Sequence, residues 1–79
     1  MKIKIFSLKG IEFEGEAKSF NVKTKVGEIT VMDNHRPLIT SLVKGVAKIG
    51  LAGEEIKEIE INSGFLEMDD NNNLSVLAE

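Results

Sequence analysis

Apolar residues recur along the chain with a period near two, in short runs closed by glycine or Asn/Asp about every eight residues, a pattern that predicts successive β-strands. Ile3 and Ile5 face one way between Lys2 and Lys4, Phe6 and Leu8 follow in the opposite phase, and Lys9-Gly10 reads as a turn. Ile11-Glu12-Phe13-Glu14 alternates before Gly15, which puts Ile11 and Phe13 on one face. Phe20 and Val22 alternate with Asn21 and Lys23 before a turn at Lys25-Val26-Gly27.

Ile29 to Met32 is the next run, and Asp33-Asn34 ends it, since both side chains hydrogen-bond locally and tolerate left-handed backbone. Leu38 to Val43 leads to Lys44-Gly45, and Val46 to Leu51 leads to Ala52-Gly53. Ile56, Ile59 and Ile61 follow with one odd and one even step, so a flat strand cannot bury all three and a bulge or twist is expected near Lys57. After Asn62-Ser63-Gly64 come Phe65 to Met68, the polar loop 69–73 and a last strand, Leu74 to Leu77. About ten short strands with almost no helix hide their apolar faces only as packed sheets or a barrel, and an all-β, two-sheet β-sandwich is expected.

A chain of 79 residues cannot divide its core, so residues 1–79 form one domain. Its 42% hydrophobic and 29% charged residues match a packed globular domain. With no cysteine, neither a disulfide framework nor a thiolate metal site supplements the core. A net charge of -3 without Tyr or Trp argues against a nucleic-acid binder, which needs a basic face and usually stacking rings. No apolar run is long enough for a secretory signal or a membrane span, which predicts a chain that is cytosolic or reaches a membrane through a partner.

Little in the sequence supports chemistry. A single histidine without cysteine excludes finger-type zinc and Cys-His nucleophilic pairs. Ser41 and Ser63 lack a nucleophile-elbow frame, and the seven glycines are scattered at turns rather than gathered into a phosphate loop. The acidic-amide run 69–73 fails as a calcium loop, because the sixth position from Asp69 is Leu74 rather than glycine. Glu54, Glu55, Glu58 and Glu60 are expected on one alternating strand as a solvated face. What remains is a binding or structural module without cofactor or metal, and its rare residues gather in Gly27 to Thr40, the segment with the only His and the only Pro.

The collinear series Gly27-Glu28-Ile29, His35-x-Pro37-Leu38, Gly45-Val46 with Ile49, Ser63-Gly64-Phe65-Leu66-Glu67 and Val76-Leu77-Ala78 resembles the N-terminal β-sandwich domain of the epsilon subunit of F-type ATP synthases. The resemblance runs from Met1 to Glu79 and implies a non-catalytic rotor subunit that links the gamma subunit to the c-ring and supports proton- or sodium-driven ATP synthesis. It implies a peripheral position on the cytoplasmic side of the bacterial plasma membrane, through the complex, with no direct insertion. By position, Glu28 resembles the family's acidic tip facing the c-ring loops and His35 the histidine at the gamma contact. Thr40 and Asn62 are further gamma-side candidates. Arg36 stands where the family usually has a small or neutral residue and is a candidate contact of this lineage, a guanidinium being a frequent interface anchor.

Local roles compete with these: His35 can serve only its turn, Glu28 a solvated loop, and Pro37 the entry to a strand. Thr30 and Asp33-Asn34 also depart from the family pattern. Family members continue into a two-helix C-terminal domain with regulatory roles; those roles are expected here only if sequence follows Glu79. A second reading of a different class is a free-standing β-domain that binds a peptide or protein by strand addition, or a carrier domain with Lys44 as its nearest modifiable lysine.

Overall fold

A computed structural model describes all residues, 1–79. Nine strands form where about ten are expected: β1 (Lys2–Ser7), β2 (Gly10–Glu16), β3 (Ser19–Thr24), β4 (Gly27–Met32), β5 (Leu38–Leu42), β6 (Gly45–Gly50), β7 (Ile56–Ile61), β8 (Gly64–Met68) and β9 (Asn73–Ala78). They hydrogen-bond in the order β2-β1-β9-β8-β5-β3-β6-β7, with β4 paired to β3. All neighbours are antiparallel except β1 and β9.

The single sheet folds over on itself because β5 and β6 are one run of chain bent at Val43–Lys44. On one side of the bend β5 pairs with β8; on the other β6 pairs with β3. The only ladder pair joining β5 to β3 is Thr24 with Leu42, supported by the Val43 N–H donating to the Lys23 carbonyl at 3.1 Å. Thr24 makes this corner tolerable although it is buried, since its hydroxyl donates to the Gly27 carbonyl at 2.7 Å and accepts from the Val26 N–H at 3.2 Å. The two halves, β2-β1-β9-β8-β5 and β4-β3-β6-β7, then face each other as the expected β-sandwich.

Between them lie Ile3, Ile5, Leu42, Leu66, Met68, Leu74 and Val76 from the first half and Phe20, Val22, Val31, Ala47, Ile49 and Ile61 from the second. These are alternate positions of their strands, as a period of two requires. Where the free edges β2 and β7 approach, the Lys57 ammonium lies 5.8 Å from the centre of the Phe13 ring. No helix long and apolar enough to cross a membrane is present.

Three local expectations are corrected. No bulge occurs near Lys57: β6 and β7 pair without a break from Gly45–Ile61 to Gly50–Ile56. Ile59 and Ile61 face inward and Ile56 is left exposed, so the odd step is absorbed by solvent exposure rather than by backbone distortion. The bulge is instead between β1 and β2, where Ile5 pairs with Phe13 but Phe6 pairs with Ile11, leaving Glu12 unopposed. That extra residue sends Phe13 towards the core and Ile11 to the outer face, against the expectation of one face for both. Glu54 and Glu55 also lie in the β6–β7 turn, so only Glu58 and Glu60 share the outward side of β7.

The β8–β9 turn is held by Asp69, whose carboxylate accepts backbone N–H bonds from Asn71 at 2.8 Å and Asn73 at 3.0 Å. The bonds from the Asn73 and then the Asn71 backbone hold its pKa below the ordinary aspartate value. A depressed folded-state pKa gives a contribution that is complete above the unfolded value and lost as pH falls through the folded one. Asp69→Ala is therefore expected to melt at a lower temperature than wild type at pH 7, with the gap closing once the pH drops well below about 4. Thermal unfolding followed by circular dichroism across that range checks it.

Candidate partner-binding face

The sandwich has two ends. One carries the turns β1–β2, β3–β4, β5–β6 and β7–β8; the other carries β2–β3, β4–β5, β6–β7 and β8–β9. Glu28 and Asn62 belong to the first end, His35 and Arg36 to the second. Thr40 is in the middle of β5, paired with Leu66. The five candidates are thus not one site, and β4 separates Glu28 from His35.

Glu28 is one residue inside β4, so the tip of its hairpin is Lys25-Val26. Its carboxylate accepts a 3.0 Å hydrogen bond from the Asn21 side-chain amide, which also donates to the Thr30 hydroxyl at 2.9 Å. Asn21 therefore fixes Glu28 against the outer side of β3 and β4. At the other end, Asn34 takes a left-handed φ of 61° and the His35 N–H donates to the Met32 carbonyl at 3.1 Å, closing the turn. The His35 ring nitrogen Nδ1 lies 2.7 Å from the Arg36 carbonyl oxygen. A carbonyl only accepts, so the proton is on Nδ1 and Nε2 is free towards solvent. Arg36 is exposed and takes part in none of the ion pairs of the structure. Pro37 immediately precedes β5, in its expected role at a strand entry. Thr40 is half-buried, with its hydroxyl donating to the Ser41 carbonyl at 3.4 Å, and the Asn62 backbone donates to the Glu79 carbonyl at 3.2 Å.

The outward surfaces of the two halves differ in kind. On β4-β3-β6-β7 the middle of the outward surface is charged or amide, with cross-strand pairs Lys23–Glu28, Asn21–Lys48 and Lys48–Glu58, and the exposed apolar residues Met32, Val46 and Ile56 stand apart from one another, Met32 and Ile56 separated by Ser19 and Gly50. On the other half the register aligns Ser41, Phe65, Leu77, Phe6 and Ile11 in one row across β5, β8, β9, β1 and β2. From Phe65 to Ile11 this row crosses three strand spacings, about 14 Å. Ile11 is 54% exposed, Phe65 56%, Leu77 52% and neighbouring Ile39 73%, so the row is open to solvent rather than capped by a loop. Phe6, Ile39, Phe65 and Leu77 line a shallow depression of about 400 Å³.

The next row, Ile39, Glu67, Ser75, Lys4 and Glu14, borders the apolar one with polar groups. The Lys4 ammonium lies 3.8 Å from the Glu14 carboxylate and 4.9 Å from the Phe6 ring centre. A contiguous apolar strip with a polar rim, on a rigid sheet, is the form of a protein-binding surface. Sequence reasoning missed this strip, although a signal for it exists. Ile5-Phe6, Leu38-Ile39, Phe65-Leu66 and Val76-Leu77 are apolar doublets, and a doublet within a strand shows an apolar group to each face. No cluster of His, Cys, Asp or Glu with metal-holding geometry exists.

Comparison with known proteins adds the following. A family model described as the β-sandwich domain of the ATP synthase delta/epsilon chain matches residues 1–79. The chain is 36% identical over 78 residues to the ATP synthase epsilon chain of Ligilactobacillus salivarius, covering 99% of this chain and 55% of that one. It is 40% identical over 78 residues to the epsilon chain of Endomicrobium trichonymphae, with coverages of 99% and 55%. With the epsilon chain of Leptospira interrogans it shares 32% over 79 residues, covering 100% and 61%. The chain thus spans little more than half the length of these relatives. Among solved structures, a chain of the Euglena gracilis mitochondrial ATP synthase OSCP/F1/c-ring assembly superposes with a TM-score of 0.90 at 17% identity, over 96% of this chain and 48% of that one. A chain from the Tetrahymena thermophila mitochondrial ATP synthase central stalk and c-ring gives 0.85 at 13%, over 99% and 62%. At such identities these two show the shared fold.

Proposed function

Because the chain belongs to the ATP synthase delta/epsilon β-sandwich family, we propose that it is a non-catalytic central-stalk element that binds the gamma subunit sideways and the c-ring with one end. The observation that carries this reading is the aligned row Phe65, Leu77, Phe6 and Ile11, an apolar strip with no partner inside the chain. A rotor element has to transmit torque without slipping. A flat apolar strip on a hydrogen-bonded sheet, bordered by charges that fix its orientation, suits that task better than mobile loops do.

In this arrangement gamma lies against β5, β8, β9 and β1. His35 and Arg36, in the loop that feeds β5, border the same side, where free Nε2 and the unpaired guanidinium serve as polar anchors. Thr40 acts from within β5, beneath the strip. Glu28 belongs to the ring-facing end, where the amide of Asn21 holds its carboxylate in place. Asn62, a gamma-side candidate by resemblance, is in the β7–β8 turn at that same end, away from His35 and Arg36, and in this reading it borders the ring rather than gamma. The chain then sits at the cytoplasmic side of a bacterial plasma membrane as a peripheral member of the complex, and supports proton- or sodium-driven ATP synthesis by coupling rather than by chemistry.

A Phe65→Asp, Leu77→Asp variant tests it. Both side chains point away from the core, so the double variant is expected to fold and to lose at least about 30-fold in affinity for the cognate gamma subunit, the scale of truncated interface anchors. Unchanged affinity in a variant with wild-type circular dichroism would overturn the assignment of this face.

A further inference from the structure

Only two residues other than glycine adopt a positive φ, Asn34 at 61° and Asn72 at 62°, and the two are bonded to each other. The Asn34 N–H donates to the Asn72 side-chain carbonyl at 2.7 Å, across 38 positions of sequence. The Asn72 side-chain nitrogen donates in turn to the Asp33 carboxylate at 3.4 Å. Left-handed backbone costs most side chains about 1–2 kcal/mol, asparagine less, and it persists where the surroundings fix it. Here the β4–β5 and β8–β9 turns fix each other.

Within the β8–β9 turn the tasks are divided. Asp69 closes the turn by accepting the Asn71 and Asn73 N–H groups, and the Asn73 side chain also returns to Asp69. Asn72 takes no part in that closure. Its carbonyl accepts the Lys2 N–H at 3.1 Å, which ties it to the start of β1, and its side chain leaves the turn for Asp33 and Asn34. The Asp33 carboxylate also accepts from the Met1 amine, which donates to the Ala17 carbonyl at 3.0 Å. Only an amide suits position 72 chemically, because the Asn34 N–H needs an acceptor and the Asp33 carboxylate needs a donor. An aspartate there would lose the donor and set a second carboxylate beside Asp33.

The turn held in this way carries His35 and Arg36. It joins β4 of the polar half to β5 of the half that bears the apolar strip, and Asn72 sits between β8 and β9 of that same strip-bearing half. The bonds of His35 are internal to the turn, to the Met32 and Arg36 carbonyls, so its place relative to the sheet is set by the bonds of Asp33 and Asn34. We propose that Asn72 is a positioning residue for partner recognition, whose amide latches the β4–β5 turn to the strip-bearing half and thereby holds His35 and Arg36 beside the apolar strip. This rests on the reading above that those two residues anchor the gamma subunit. It adds the residue that orders them beforehand, and an anchor already in place spares the entropy of fixing it on binding.

Asn72→Gly tests the proposal, since glycine keeps the left-handed backbone and the carbonyl at 72 and removes only the side chain. Asn71→Ala, in the same turn with a side chain that takes part in no hydrogen bond, is the control. In the free full chain, NMR backbone order parameters of Asn34 to Arg36 are expected to fall from about 0.85 to below about 0.6 in Asn72→Gly and to stay unchanged in Asn71→Ala. Asn72→Asp, which keeps the acceptor and loses the donor, is a second variant expected to loosen the same residues at pH 7. Affinity for the gamma subunit is expected to fall about fivefold in Asn72→Gly, and no further when the change is made in a His35→Ala, Arg36→Ala background. A turn as ordered in both Asn72 variants as in wild type would overturn the proposal. So would an equal loss of affinity in the two backgrounds, which would make Asn72 a general structural residue. A wild-type chain that does not bind gamma, or a His35→Ala, Arg36→Ala variant that binds it as tightly as wild type, would overturn the reading of the two residues as anchors, whatever the order parameters show.

Discussion

Gly64→Ala is expected to remove about 3 kcal/mol or more of stability, on the scale set by strained backbone and core collisions. Gly64 is buried at the start of β8 with φ of +153°, a conformation that side chains rarely adopt. It is also enclosed, paired with Leu42 on one side and Ala78 on the other. A Cβ would land on the Leu77 carbonyl oxygen and lie 3.1 Å from the Ala78 Cα, both backbone groups fixed in β9. Relief would require β8 and β9 to separate where the two halves of the sandwich turn into each other. A domain of this size has about 4–12 kcal/mol in total, so the loss is a large share of it. Gly53→Ala is the control: φ is +72° but nothing lies within 4 Å of the added carbon, and only the conformational cost of about 1 kcal/mol remains. Urea denaturation of the two variants separates collision from conformation.

Phe20→Ala is expected to cost about 3–5 kcal/mol, the usual range for truncating a buried aromatic. Phe20 is fully buried and is the largest such side chain. It sits on β3, between Val31 of β4 and Ile49 of β6, the strand where the ladders of both halves meet. Neighbouring strands are hydrogen-bonded on both sides and cannot collapse into the space it leaves, so the cavity persists. Unfolding in urea should shift to a lower midpoint with unchanged slope, because the surface exposed on unfolding is nearly the same. Ile56→Ala is the matched comparison on the solvent side and should change stability by no more than about 0.5 kcal/mol.

Strand positions are legible in this sequence because alternation and turn chemistry are local. Asn34, at φ 61°, and Gly27, at φ 124°, stand where the chain has to adopt backbone that other residues resist, and both mark the expected turns. What is not local is not legible. Ile56 looks like a third core isoleucine until pairing with Gly50 fixes its outward phase. Ile11 and Phe13 look alike until the bulge at Glu12 divides them. The parallel pairing of β1 with β9 joins residues some seventy positions apart, and no periodicity announces it.

The candidate face shows the same division. Each doublet, such as Phe65-Leu66, is visible in the sequence and says that its strand shows an apolar group outward. Only the strand order places Phe6, Phe65 and Leu77 side by side and turns three isolated exposures into a strip. His35 and Arg36 stand out by rarity, so they are found before the larger surface they border. Glu28, one glutamate among many, is found only by the resemblance of Gly27-Glu28-Ile29, and its bond to Asn21 depends on the β3–β4 register and not on any spacing within that motif.

Whether the apolar strip, rather than the polar half, faces the stalk is tested most directly by a photo-crosslinking residue placed at Phe65 or at Glu58 in the chain bound to its cognate gamma subunit and c-ring. The account predicts a crosslink to gamma from position 65 and none from position 58. A gamma crosslink from position 58, with position 65 silent, would contradict it.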